Sequence, residues 1–120
     1  MMYDSYDYLS PEETRVLNHR HSTGKRLRGN SWVYDDGESF SLVSYDTTII
    51  TVHRTDPVII SIDCRACEYS NSTCRHISEF AAQYLRAYGV DYYTIKGFIT
   101  DAQVGQSVDL YNGQVTLVCC

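Results

Sequence analysis

Apolar residues at Ile77, Phe80, Ala81, Tyr84, Leu85 and Tyr88 recur at spacings of 3, 1, 3, 1 and 3. That is one face of a helix with a 3.6-residue period, and it constrains this chain more than any other stretch. Both ends are marked. Ser70, Asn71 or Ser72 can accept an orphan backbone N–H in the first turn. Gly89 stands where a left-handed residue closes a helix, and Val90 follows as its apolar contact. The spacing predicts a main helix over about 72–88, lying across a sheet made from the other apolar segments.

Those segments are short. Ser31–Tyr34 and Ser39–Val43 flank Asp36-Gly37, a turn that supplies positive φ, and read as a hairpin. Thr47–His53 and Val58–Ile62 form a second pair around Arg54-Thr55-Asp56-Pro57, with Pro57 starting a strand where it removes no ladder bond. Ser107–Tyr111 and Gln114–Val118 form a third hairpin around Asn112-Gly113. Asp91–Thr100, rich in Tyr, Ile and Phe, reads as a further strand region broken at Gly97. Ser10-Pro11-Glu12-Glu13 carries a cap, a proline at the first helical position and a capping-box glutamate, so a short helix is predicted over about 11–20. The sum is an α+β fold in one domain, residues 1–120: about six or seven short antiparallel strands covered by one main helix.

Hydrophobic residues make up 43% of the 120, enough for a core without staples. The formal net charge of -5 argues against a bulk-basic nucleic-acid binder. Charge is nevertheless uneven. Four of the ten Lys and Arg residues fall between His19 and Arg28. The plainer reading of that segment is a solvated loop; the functional one makes Lys25, Arg26 and Arg28 contacts to phosphate or to an acidic protein surface. Eleven tyrosines fit strand propensity first and a Tyr-rich binding face second. The acidic start lacks a secretory apolar region, and no run approaches a membrane span, so a soluble protein of the host cytoplasm is expected. Five cysteines without such a signal predict no disulfide framework, and Cys119-Cys120 read as the end of a strand or free thiol.

Cys64-Arg65-Ala66-Cys67, followed by Cys74 and His76, offers four soft ligands, the number a closed zinc site needs. The Cys-x-His half is poorly spaced, because neighbours two apart on a helix point about 200° apart. The plainer reading is buried small hydrophobes and no cofactor. A Cys/His pair at Cys74 and His76 has no orienting third group at a recognisable spacing, so no catalytic residues are assigned and no enzyme is expected. Asp35, Asp36 and Glu38 cluster carboxylates in a turn, which is ordinary turn chemistry or an acidic docking face. Tyr69, Ser72, Thr73, Arg75 and His76 open the main helix, where free N–H groups and hydroxyls beside an arginine make a candidate anion or ligand site.

Two segments carry a resemblance. Ser44-Tyr45-Asp46-Thr47-Thr48-Ile49-Ile50 and Tyr69-Ser70-Asn71-Ser72-Thr73-Cys74-Arg75-His76 resemble small phage and plasmid proteins. Those proteins carry an S-Y-[ND]-T-x-[IV]-[IA] strand and a Y-S-x-[ST]-T-x-[RK]-H helix start. The resemblance implies a mobile-element origin and an intracellular setting, and no catalytic residues. It also predicts a junction in which His76 bonds back to the strand pair bearing Tyr45 and Thr47. The expected function is a non-enzymatic binding protein that blocks a host defence nuclease, an anti-CRISPR-like inhibitor. The alternatives are a small nucleic-acid-binding or regulatory module using residues 19–28, or a sponge for a nucleotide signal held by Arg75. A homo-oligomer is compatible with any of these.

Overall fold

The structure, a computed structural model, describes residues 23–110 and 113–120; the side chains of Thr23, Cys67 and Tyr69 fall outside that description. The helix expected over 11–20 and the part of the basic segment over 19–22 also lie outside it. Among the described residues seven strands form one sheet: β1 Thr23–Arg26, β2 Ser31–Asp35, β3 Ser39–Ser44, β4 Thr47–His53, β5 Val58–Ile62, β6 Ser107–Leu110 and β7 Val115–Cys119. Their order is β1-β2-β3-β4-β5-β7-β6. Helices α1 Ala66–Tyr69, α2 Asn71–Phe80 and α3 Tyr92–Asp101 fill the connection from β5 to β6.

The α+β expectation holds, with three differences. First, β5 and β7 pair in parallel, Val58 opposite Val115 through Ile62 opposite Cys119. A parallel neighbour needs a long crossover, and the helical segment supplies it. Second, the helical layer is not one main helix. The α-helical backbone of α2 widens into a π-turn at Ala81–Leu85, then tightens to a 3-10 turn at Arg86–Tyr88. Gly89, at φ 72°, ends the run, and Val90 N–H donates to the Leu85 carbonyl at 3.2 Å. Third, residues 91–100 are helical rather than extended. The Asp91 side chain accepts from Thr94 N–H at 2.8 Å, capping α3. Tyr92, Ile95, Phe98, Ile99 and Ala102 then fall at helical spacing, with Ile95 and Phe98 buried. Burial on a 3–4 period overrides the strand propensity of the same residues. β1 takes the place of that strand in the sheet, at the edge, inside the segment expected to be a loop.

The core lies between the sheet and the helices. Alternation sets the inward face: Val115, Leu117 and Cys119 are buried on β7, while Thr116 and Val118 between them are half-buried. α2 contributes Ile77 and Phe80. Phe40 on β3 gathers Phe80 and Tyr84 at ring separations of 5.9 and 5.8 Å, and Tyr88 at 6.4 Å. Two tyrosines thus serve as helical core, not as the strand residues their abundance suggested. On the opposite face Trp32, Tyr34 and Val43 form a separate buried cluster.

Cys64, just beyond β5, is disulfide-bonded to Cys119, with Cα atoms 5.6 Å apart, a separation such a bond accepts. This corrects the expectation of unpaired cysteines. The register sets Cys119 beside Ile62, so the chain leaving β5 passes the end of β7.

Candidate functional site

The residues that carried the resemblance meet at the start of α2. Ser70 caps the helix, accepting from Thr73 N–H at 3.1 Å. Thr73 and His76 lie one turn apart on the face that also buries Ile77 and Phe80. Ser44 ends β3 on the inward face of the strand, in line with Phe40 and Leu42. Its Oγ is 2.8 Å from His76 Nδ1 and 3.2 Å from Thr73 Oγ1. Thr73 Oγ1 is in turn 3.1 Å from Ser70 Oγ. The arrangement that uses every hydroxyl proton runs Ser70 to Thr73 to Ser44 to His76 Nδ1. It leaves the proton of a neutral imidazole on Nε2.

Two left-handed positions frame the imidazole. Tyr45, at φ 55°, lacks glycine's freedom there, and its N–H donates to the Asn30 carbonyl at 2.7 Å. The turn sets its ring 5.7 Å from that of His76. Gly29, at φ 52°, closes the other side; a Cβ there would stand 3.4 Å from His76 Nε2. Burial pushes the His76 pKa below its ordinary value, and the nearby Arg28 charge adds to the shift. The expected bond from His76 to the Tyr45 strand pair is therefore present, with Ser44 as the partner.

A serine hydroxyl on an imidazole is the geometry of a nucleophile and its base. Ser44, however, is only 2% exposed, and Thr73 and His76 enclose its hydroxyl. A substrate has no approach to it in this arrangement. The cluster joins helix to sheet through hydrogen bonds between buried side chains.

The other candidate residues are placed as follows. Of the anion set, Thr73 and His76 turn inward, Ser72 is half-buried and Arg75 is exposed, so they do not converge; the Tyr69 side chain lies outside the described residues. Of the metal set, Cys64 is bonded to Cys119 and His76 Nδ1 faces Ser44, which corrects Cys64 as a ligand. Cys74 is a half-buried free thiol, and the Cys67 side chain lies outside the description. Among the described residues no three His, Cys, Asp or Glu side chains are arranged to hold a metal ion. Lys25, Arg26 and Arg28 are exposed on β1 and the turn after it, where Arg26 Nε donates to the Gly29 carbonyl at 2.9 Å.

The acidic turn is largely self-engaged. Asp36 Oδ1 accepts from Glu38 and Ser39 N–H at 2.9 and 2.8 Å, while Glu38 itself is exposed. Both oxygens of Asp35 accept from Arg54, each at 2.7 Å, and the guanidinium lies 4.7 Å above the Phe40 ring. The Arg54 hydrogen bonds hold the Asp35 pKa down at about 2, against an ordinary 3.8. A depressed carboxylate pKa stabilises the fold above the ordinary value, and that contribution is lost as pH falls toward the folded one. Asp35→Asn should therefore cost about 0.5 kcal/mol at neutral pH, the scale of a solvent-screened pair. In urea titrations the gap to wild type should close between pH 3.8 and about 2; a gap that persists there would assign the loss to something other than this ion pair.

Sequence reasoning missed a further surface. A groove of about 530 Å³ runs between α3 and the β6–β7 hairpin, lined by Tyr93, Phe98, Ala102, Val108 and Leu117 among others. It depends on residues 92–101 being helical, so the strand reading concealed it. The signal was the Asp91 cap followed by Ile95, Phe98 and Ile99 at helical spacing.

Comparison with family models, curated proteins and solved structures finds no match to this chain. No helix among the described residues is long and apolar enough to cross a membrane.

Proposed function

We propose that the chain is a non-enzymatic protein-binding module of a phage or mobile element, a counter-defence inhibitor that binds a host nuclease. One observation carries the binding part of that reading. The best-formed cluster of reactive side chains, Ser44, Thr73 and His76, is buried and spent on its own hydrogen bonds. Large apolar side chains at Tyr45, Tyr93, Val104 and Val108 are instead left exposed, the material of an interface. The inhibitor part is supported by the resemblance of the Ser44–Ile50 and Tyr69–His76 segments to small phage and plasmid proteins. Cells with active CRISPR immunity that express the chain should regain phage plating, and the purified protein should block target cleavage by the nuclease complex. Cleavage at an unchanged rate under saturating protein would overturn the inhibitor reading.

A second reading has its own observation. Lys25, Arg26 and Arg28 stand exposed along one edge of the sheet, with the exposed Tyr45 ring near the same turn. Cations beside an aromatic platform suit single-stranded nucleic acid. Binding of labelled single-stranded DNA that falls steeply with salt and is lost on charge removal at these three residues would favour it.

A further inference from the structure

We propose that the open edge of β6, with the groove beside it, docks an extended basic segment of a partner protein, which adds to the sheet as an eighth strand. This rests on the protein-binding reading above and names where and how the partner binds. Among the described residues β6 is the last strand of the sheet and pairs with β7 alone. Cys119 N–H donates to the Gln106 carbonyl at 2.9 Å, which sets the phase of the ladder. The alternation of an antiparallel pair then turns the N–H and C=O groups of Ser107 and Asp109 away from β7, toward the open edge. Such a row is a template for another strand.

The side chains around the edge specify what that strand must carry. Three of the four large apolar side chains exposed among the described residues lie at this end: Tyr93 at 78%, Val104 at 79% and Val108 at 45%. Val108 and Leu110 share the face of Leu117 and line the groove. Asp109 points to the opposite face, where it accepts from the Thr116 hydroxyl at 2.9 Å, and Asp101 stands at the groove wall. Neither carboxylate is ion-paired among the described residues. An added strand therefore meets the apolar surface of Val108 and Leu110, rimmed by Asp101, on one face and the Asp109 carboxylate on the other, so its residues alternate apolar and basic. β6 spans about 13 Å, the reach of four extended residues. A second copy fits less well, since it would set one carboxylate-bearing edge against another in a chain of net charge -5.

The probe is a fluorescein-labelled heptapeptide of alternating valine and lysine, read by anisotropy against the full chain. Saturable binding is expected, weakened about tenfold when alternate peptide nitrogens are methylated, which removes hydrogen bonds but no charge. Ser107→Pro should weaken it by a similar factor, because that N–H faces outward and its loss costs no bond to β7. Asp109→Lys, on the face where the basic side chains lie, should weaken it about threefold at low salt. Equal binding of the methylated peptide, or no saturable binding, overturns the proposal, and the methylated peptide needs no variant to fold. A sedimenting dimer abolished by Ser107→Pro also overturns it, by assigning the edge to a second copy. If the peptide fails while nuclease inhibition stands, only this docking site falls. If inhibition fails while methylation-sensitive binding stands, the nuclease as partner falls and the edge remains.

Discussion

Alanine at Phe80 should lower the unfolding free energy by about 3–5 kcal/mol, a large share of the 5–15 kcal/mol or so that holds a domain of this kind together. The ring is fully buried, 5.9 Å from Phe40 and 5.3 Å from Tyr84. It sits where the α-helical geometry of α2 passes into the π-turn, so it anchors both segments to the sheet. Removing it leaves a cavity that Phe40 and Tyr84 cannot both move to fill, since Phe40 also carries Tyr88 and the Arg54 guanidinium. Leucine at the same site keeps most of the volume and should cost no more than about 1.5 kcal/mol. Alanine at Tyr93, which is 78% exposed, should stay within about 0.5 kcal/mol of wild type. Urea unfolding of the three variants checks the ranking. A Phe80→Ala loss no greater than that of Tyr93→Ala would mean the aromatic cluster is not the seam between helix and sheet.

Ser44→Ala comes next, at about 1–3 kcal/mol, because it strands His76 Nδ1 and leaves Thr73 Oγ1 short of a partner among buried side chains. The same site makes stability depend on pH. His76 has a folded pKa below its ordinary 6.5, first through burial and then through Arg28. A base held neutral in the fold stabilises fully above the unfolded pKa. The contribution shrinks as pH falls below 6.5 toward the folded pKa, because the unfolded chain takes up the proton first. Protonating Nδ1 would also turn the acceptor of the Ser44 hydroxyl into a donor. His76→Gln should therefore be less stable than wild type at pH 8, and the gap should narrow as the melting temperature is followed below pH 6.5. A gap that is constant with pH would show that His76 is not held neutral by the fold.

Patterns that span a turn or a hairpin were legible in the chain itself. Alternation and turn residues place β2 to β5 and the β6–β7 hairpin within a residue or two, and the apolar period picks out Ile77, Phe80, Ala81, Tyr84, Leu85 and Tyr88. Gly89 closes that helical run as its position required. These signals are legible because capping, turn φ and burial period act between near neighbours. Tyr92–Asp101 marks the limit of propensity: β-branched and aromatic residues suited a strand, but burial of Ile95 and Phe98 against the sheet made it a helix.

The sequence by itself determined which short segments bury one face and where they stop. Only the tertiary structure decided which segments are neighbours: β7 entering beside β5 in parallel, Cys64 reaching Cys119 across 55 residues, and Ser44 meeting His76 across 32. Those choices follow from the joint packing of distant segments into one core, and no local pattern encodes the partner. The groove at β6 exists only because that packing sets α3 beside a strand edge.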